Sequence, residues 1–255
     1  MAFTEKCPNT PALHNKNIHN KVLSTLTKYP PGFILDIPSG PGYLLRELKK
    51  IGFSGIAGEI DGSLHLFDDI KYCGIDMSNK FPFADSTFDY IVSIEGIEHI
   101  ENHFSFLREV SRTLKPNGSF IMTTPNIHSM ESKFNFFLSG FHTLANKPIP
   151  VNSENIYFEH INPISLESIY FICTKEGLSI ERLETSKYRK GSLLFYYMLY
   201  PILYISTYLA CFMREKEPSR KLMNRRIFDL LISKENLAGG HTIIIAKKDV
   251  PHSTR

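Results

Sequence analysis

Phe33-Ile34-Leu35-Asp36-Ile37-Pro38-Ser39-Gly40-Pro41-Gly42-Tyr43-Leu44 is the stretch on which the fold turns. Phe33 to Ile37 is a short apolar run closed by a turn signal, the pattern of a strand buried on both faces of a parallel sheet. Pro38 to Gly42 is the turn, and Tyr43 to Leu48 has the spacing of an amphipathic helix. Glycines in such a turn let the backbone approach a ligand closely, and the helix that follows presents unpaired N–H groups. The bland alternative is a tight α/β turn whose glycines serve geometry alone.

Outward from this unit, strand and helix patterns alternate. A helix is expected over Leu13 to Tyr29, stopped by Pro30-Pro31-Gly32. Strands follow at Ser54 to Ile60, Lys71 to Asp76 and Phe88 to Ile94, and a helix at Asn102 to Leu114. Lys115-Pro116-Asn117-Gly118 reads as a turn before a fifth strand, Ser119 to Thr124. A helix at Ser165 to Glu176 and strands at Leu178 to Thr185 and Thr242 to Ala246 complete the series. The alternation predicts a Rossmann-like, doubly wound seven-stranded sheet with helices on both faces. The stretch between the last two strands, residues 187–236, is a helical insertion.

Two carboxylates complete the turn's meaning. Glu59 lies 17 residues after Gly42 at the end of the second strand, where a carboxylate can accept both ribose hydroxyls of a nucleoside. Asp76 ends the third strand, where it could take an adenine amino proton. A dinucleotide fingerprint would need a further glycine at position 45; Leu45 stands there, which counts against a dinucleotide.

At 255 residues the chain fits one α/β domain, residues 1–255, large enough to need no disulfide or metal staple. With 42% hydrophobic and 22% charged residues it is not a disordered chain, and a net charge of +3 is too small to make nucleic acid an expected partner. Cys7, Cys73, Cys173 and Cys211 are scattered, which excludes a zinc knuckle and a CxxC redox pair and fits reduced thiols in the cytoplasm. Met1 to Asn20 is polar, so no secretory signal is expected there.

Leu35-Asp36-Ile37-Pro38-Ser39-Gly40-Pro41-Gly42 resembles motif I of the class I S-adenosylmethionine-dependent methyltransferases. Asp76-Met77 through Phe81-Pro82-Phe83-Ala84-Asp85-Ser86-Thr87-Phe88-Asp89 resembles their "D…LPF-x-D-x-SFD" segment. Arg112-Thr113-Leu114-Lys115-Pro116-Asn117-Gly118-Ser119 resembles their "RvLkpgG" turn. The resemblance covers about residues 20–186 and resumes in the final strand. One departure is Pro38, where many members carry the first glycine. The resemblance implies S-adenosylmethionine as cofactor, with Asp36, Ser39, Gly40, Pro41 and Gly42 against its methionine moiety, Glu59 on the ribose, Asp76 and Met77 around the adenine, and Glu95 nearby. It also implies that the last strand runs antiparallel.

After the fourth strand comes Ile94-Glu95-Gly96-Ile97-Glu98-His99-Ile100. Glu98 and His99 are expected to start a helix at the carboxyl edge of the sheet, where ligands bind. His99, with Glu98 beside it, could deprotonate an acceptor hydroxyl. Alternatively Glu95, Glu98 and His99 could hold a divalent cation that lowers the hydroxyl pKa. Acidic residues favoured at a helix start, with an incidental histidine, are the plain alternative. The Glu-x-x-Glu-His pattern is similar to the metal site of ubiquinone-biosynthesis O-methyltransferases and of small-RNA 2′-O-methyltransferases, which implies His160 as the fourth ligand of Mg2+ or another divalent cation. Thr124-Pro125-Asn126-Ile127-His128-Ser129 through Phe137-Leu138-Ser139-Gly140, followed by His160-Ile161-Asn162-Pro163-Ile164-Ser165, looks like methyltransferases of O-antigen and capsule clusters, which implies an acceptor lid at 125–164 and a sugar or lipid-linked glycan as acceptor. O-methylation of a phenolic or isoprenoid lipid, and cofactor binding without catalysis, are the alternatives.

Leu193 to Met213 carries no charge over 21 residues, and five of the 12 tyrosines fall within it. It is long enough to span a bilayer, but it joins two strands of one sheet and Pro201 interrupts it, so a span is rejected. Tyr196, Tyr200, Tyr204 and Tyr208 make a stripe on one helix face, suited to an interface. Lys187, Arg189 and Lys190 precede the segment, and Arg214, Lys216, Arg220, Lys221, Arg225 and Arg226 follow it, a basic collar that fits anionic headgroups. Two placements follow: 193–213 lies peripherally in the inner membrane face, or it caps the domain.

Overall fold

A computed structural model describes residues 16–143, 159–213 and 215–250. Seven strands form one sheet in the order β3-β2-β1-β4-β5-β7-β6. They are β1 (Phe33–Asp36), β2 (Ser54–Glu59), β3 (Lys71–Gly74), β4 (Phe88–Ile94), β5 (Leu114–Pro125), β6 (Leu178–Thr185) and β7 (His241–Lys248). The pairings among the first five strands are parallel, and β7 runs antiparallel to both β5 and β6. This is the expected architecture, including the reversed last strand.

Alternation along the strands builds a core on each face. Ile34, Tyr90, Val92, Ile121, Ile243 and Ile245 point to one side, against α1 (Lys16–Leu26) and α2 (Tyr43–Lys49). Leu35, Ile91, Phe120, Met122, Ile244 and Ala246 point to the other, against α3 (His103–Thr113) and α5 (Leu166–Lys175). α4 (Met130–Ser139) follows β5; α6 (Lys190–Phe212), α7 (Pro218–Leu231) and α8 (Lys234–Ala238) make up the insertion between β6 and β7. α7 turns Ile227, Leu230 and Leu231 onto the second core.

Several boundaries differ from expectation for local reasons. Of the first helix, α1 covers Lys16–Leu26; residues 13–15, like Cys7, lie outside the described residues. The Lys115–Gly118 turn is absorbed into β5: Leu114 already pairs with Phe88, and the register then shifts before Tyr90 meets Ser119. The irregularity is made by Asn117, at φ 62, and by Gly118, where a Cβ would fall 2.8 Å from Leu114 Cγ. Glu98 and His99 do not open a long helix. They belong to a short 3₁₀ turn, Ile97–His99, anchored by buried Ile97 and Ile100, and α3 starts afresh where the Asn102 side chain accepts from Ser105 N–H. Pro201 does not interrupt α6, which runs through it for 23 residues. A proline forgoes one helical hydrogen bond, and on a face as exposed as that of Tyr197 and Ile202 water can satisfy the freed carbonyl.

Candidate functional site

The strand order reverses between β1 and β4, and the carboxyl ends of the flanking strands converge on one cavity of about 610 Å³. Both the position and the size suit a nucleoside-sized ligand. The loop after β1 forms one wall. Its backbone is tied down by Ser39 N–H to the Gly58 carbonyl at 2.9 Å and by Gly40 N–H to Glu59 Oε2 at 2.9 Å. Gly40 has φ +50 and open space where a Cβ would stand, so the backbone itself faces the ligand. Gly42, at φ +88, caps α2 and faces His65 and Phe67 rather than the cavity. Pro38 leaves the loop open but dictates its neighbour: a Cβ on Gly96 would sit 2.3 Å from Pro38 Cδ.

Ser39, Gly40, Pro41, Glu59, Asp76, Met77 and Glu95, all expected around the cofactor, line this cavity. Asp36 does not; it is buried at the end of β1, where burial and the neighbouring Glu59 raise its carboxyl well above the usual range. Glu59 holds two backbone N–H groups, Gly40 and Ile60, each at 2.9 Å, while burial still raises its pKa. Asp76 caps the turn after β3, accepting from Ser78 N–H at 2.8 Å and Asn79 Nδ2 at 2.9 Å. His19, Asp61 and Ile161 also line the cavity and were not singled out from the sequence. Asp61 lies just past Glu59 at a strand end, a signal available to inspection. His19 reaches the cavity only because α1 packs over the sheet, which no local pattern announces.

At the other end of the cavity the structure brings three of the four expected metal ligands together. One ligand atom from each of Glu98, His99 and His160 lies within 4.8 Å of the other two. Glu98 is fully buried; Thr124 Oγ1 donates to its Oε2 at 3.2 Å, and its Oε1 has no hydrogen-bond partner. Burial, reinforced by Glu95, raises the Glu98 carboxyl well above its ordinary value. The His99 and His160 rings meet edge to face, 4.9 Å between centroids. His160 is held there by Asn162, which donates its N–H to the Glu98 carbonyl at 3.0 Å and its side-chain amide to the Ile100 and Glu101 carbonyls. His99 Nδ1 lies 2.9 Å from the Glu159 carbonyl, which assigns the ring proton to Nδ1 and leaves Nε2 as the lone pair. Burial, and then His160, lowers the His99 pKa, so the ring is neutral near pH 7.

Glu95 does not join the trio. It sits just past β4 at φ 50, accepts from Thr123 Oγ1 at 2.8 Å, and lies 3.7 Å from His241 Nε2. Burial pushes its carboxyl up to about 7, and burial with the Arg189 and Lys187 charges pushes His241 down to about 4. The left-handed backbone turns this side chain toward β5 and β7, which a strand-to-helix reading of Glu-x-x-Glu-His would not anticipate. The lid expected at 125–164 is described as α4 and the segment from Glu159 onward; 144–158 lie outside the described residues.

The family described as "Methyltransferase domain" matches residues 15–183. The chain belongs to the class I S-adenosylmethionine-dependent methyltransferases. This methyltransferase is 27% identical over 193 residues to the mitochondrial ubiquinone biosynthesis O-methyltransferase of Rattus norvegicus, covering 66% of the chain and 54% of that relative. It is 28% identical over 118 residues to sterol 4-C-methyltransferase strm-1 of Caenorhabditis elegans, covering 42% of the chain and 35% of the relative. The chain thus spans about half or less of the length of these relatives. The phosphoethanolamine N-methyltransferase 2 of Haemonchus contortus, solved with S-adenosyl-L-methionine, shares the fold at TM-score 0.53 and 18% identity, over 92% of this chain and 53% of that one. The glycine loop, the Glu59 carboxylate and the Asp76–Met77 pair around an open cavity fit the cofactor that the family uses.

Proposed function

We propose that this methyltransferase transfers the methyl group of S-adenosylmethionine to a hydroxyl oxygen of a sugar or lipid-linked glycan at the inner face of the membrane. Glu59 would accept the ribose hydroxyls, Asp76 and Met77 would flank the adenine, and the Ser39 to Pro41 backbone would hold the methionine end. The sulfonium already activates the methyl, so the protein's task is to align and deprotonate the acceptor. The polar walls around Glu95, His99, Glu101 and His160 suit an acceptor rich in hydroxyls.

The observation that carries the acceptor chemistry is the buried, unpartnered Glu98 Oε1 beside two imidazoles. An uncompensated buried carboxylate oxygen is costly, and a cation relieves it. One carboxylate and two histidines suit a divalent ion such as Mg2+, Mn2+ or Zn2+. Such an ion, held by Glu98, His99 and His160, would lower the pKa of the acceptor hydroxyl. His99 has one free ring nitrogen, so the ligand and general-base roles exclude each other, and the orphaned oxygen favours the ligand role.

The test is His99→Ala. Calorimetry should show cofactor affinity retained, while turnover on a hydroxyl acceptor falls about 10²–10⁴-fold. EDTA should abolish the wild-type activity and Mg2+ or Mn2+ restore it. Activity indifferent to EDTA would leave His99 as general base. Cofactor binding without turnover on any hydroxyl acceptor would make the chain a non-catalytic binder. A phenolic or isoprenoid lipid acceptor is the second reading, supported by the similarity to ubiquinone biosynthesis O-methyltransferases.

A further inference from the structure

α6 lies on the outside of the domain with an aliphatic face turned to solvent. Leu194, Met198, Ile202, Ile205, Leu209 and Met213 recur at steps of four, four, three, four and four, which places them in one row on a helix. Each of the six is between 44% and 72% exposed. The expected tyrosine stripe is not this row. It runs along the flank that meets α7, where Tyr204, Tyr208 and Phe212 pack around Phe228. The exposed face continues onto α4: Phe134 stacks on Phe195 at 5.1 Å, and the nearby Phe137 and Leu138 are 83% and 73% exposed. An apolar surface of this kind, uncovered among the described residues, marks an interaction site.

Charge identifies the partner. α6 contains no acidic residue, and its one charged residue, Lys190, stands at its first position. Exposed Lys216, Arg220, Lys221 and Arg225 gather beyond its other end, where Arg220 pairs with Glu217 at 3.1 Å and Glu215 at 4.0 Å. Apolar side chains bordered by cations match anionic headgroups above acyl chains.

We propose that the faces of α4 and α6 together dock on an anionic phospholipid bilayer, with α6 lying in the plane of the interface. At about 35 Å α6 is long enough to cross the hydrocarbon. Crossing is excluded by α7, which packs along its second half with Arg220, Lys221, Arg225, Arg226 and Asp229 in only 14 residues, too short and too charged to return through lipid. Glu131 N–H donates to Ser192 Oγ at 3.1 Å and Arg189 pairs with Glu131 at 3.2 Å, so both helices start beside the carboxyl end of β5, on the edge of the sheet that carries the cavity. The proposal deepens the reading of a membrane-lodged acceptor and rests on it for what is delivered to the site.

The experiment is co-sedimentation of the full chain with vesicles of phosphatidylglycerol and phosphatidylethanolamine, compared with pure phosphatidylcholine. Binding to the anionic vesicles should be at least about tenfold tighter and should weaken in high salt. Ile202→Asp/Ile205→Asp should lower it at least about tenfold, and Phe137→Ala/Leu138→Ala should lower it less, with circular dichroism and S-adenosylmethionine affinity unchanged in both. Equal binding to both vesicle types, or variants that bind like the wild type, would overturn the proposal. So would a wild-type dimer that Ile202→Asp/Ile205→Asp splits in the absence of vesicle binding, since the face would then join two copies. Methyl transfer to a detergent-extracted acceptor separates the two readings. If it persists without vesicle binding, only the docking surface fails; if it is absent with vesicle binding intact, only the assigned chemistry fails.

Discussion

Glu59→Gln exchanges one carboxylate oxygen for an amide NH2 and should cripple cofactor binding. In the wild type, Oε2 takes Gly40 N–H and Oε1 takes Ile60 N–H, each at 2.9 Å, so the carboxylate ties the ligand loop to the end of β2. Its remaining lone pairs are the natural acceptors for two ribose hydroxyls. A glutamine offers one acceptor oxygen, and its NH2 must face either Gly40 N–H or Ile60 N–H, donor against donor. Loss of one hydrogen bond to a charged group costs about 1.5–3 kcal/mol. At 1.4 kcal/mol per decade, the dissociation constant for S-adenosylmethionine should rise about 10- to 150-fold. Titration calorimetry with S-adenosylmethionine and S-adenosylhomocysteine measures it, with melting of the ligand-free protein as a check on folding. Glu59→Asp keeps the charge but retracts it by one methylene, and should weaken binding as well because it no longer reaches Gly40. A Glu59→Gln protein that binds within about twofold of wild type would refute the role given to this carboxylate.

Two more substitutions probe the site's architecture and electrostatics. Gly96→Ala should weaken cofactor binding at least about tenfold, because its Cβ would press on Pro38 and shift the loop; calorimetry reads this, and unchanged affinity would show that the loop yields without cost. Glu98→Gln should flatten the pH dependence of stability. The folded-state pKa of Glu98 is raised, chiefly by burial, so the native state holds this proton more tightly than the unfolded chain. That contribution is fully present below the unfolded pKa and is lost as pH rises through the folded value. The metal-free variant should therefore gain stability over wild type in denaturant titrations as pH climbs from mildly acid to alkaline; a parallel offset at every pH would contradict it.

The fold was readable because each strand carried its own signal. Ile34-Leu35 and Tyr90-Ile91-Val92 alternate between two buried faces, so both strands appear as unbroken apolar runs between turn residues. Part of the cavity's lining was readable for the same reason: Glu59 ends β2 and Asp76 lies two residues past β3, and a parallel sheet places such residues on one edge. What escaped depends on contacts made across the fold. The departure of Glu95 from the histidine cluster follows from a left-handed backbone and a hydroxyl on β5. The unbroken passage of α6 through Pro201, and the choice of which α6 face meets α7, follow from exposure and from Phe228, 20 residues beyond Tyr208. His160 could be marked only by resemblance, since Asn162 is what carries it to His99.

The proposed reaction moves a methyl group from S-adenosylmethionine to a hydroxyl oxygen beside His99. The most direct measurement incubates the full chain with methyl-labelled S-adenosylmethionine and a membrane extract and locates the label in the product by mass spectrometry. Label is expected on a single hydroxyl oxygen of a sugar or lipid-linked acceptor, absent with His99→Ala although that protein still binds the cofactor. Label on carbon or nitrogen, or transfer undiminished in His99→Ala, would contradict it.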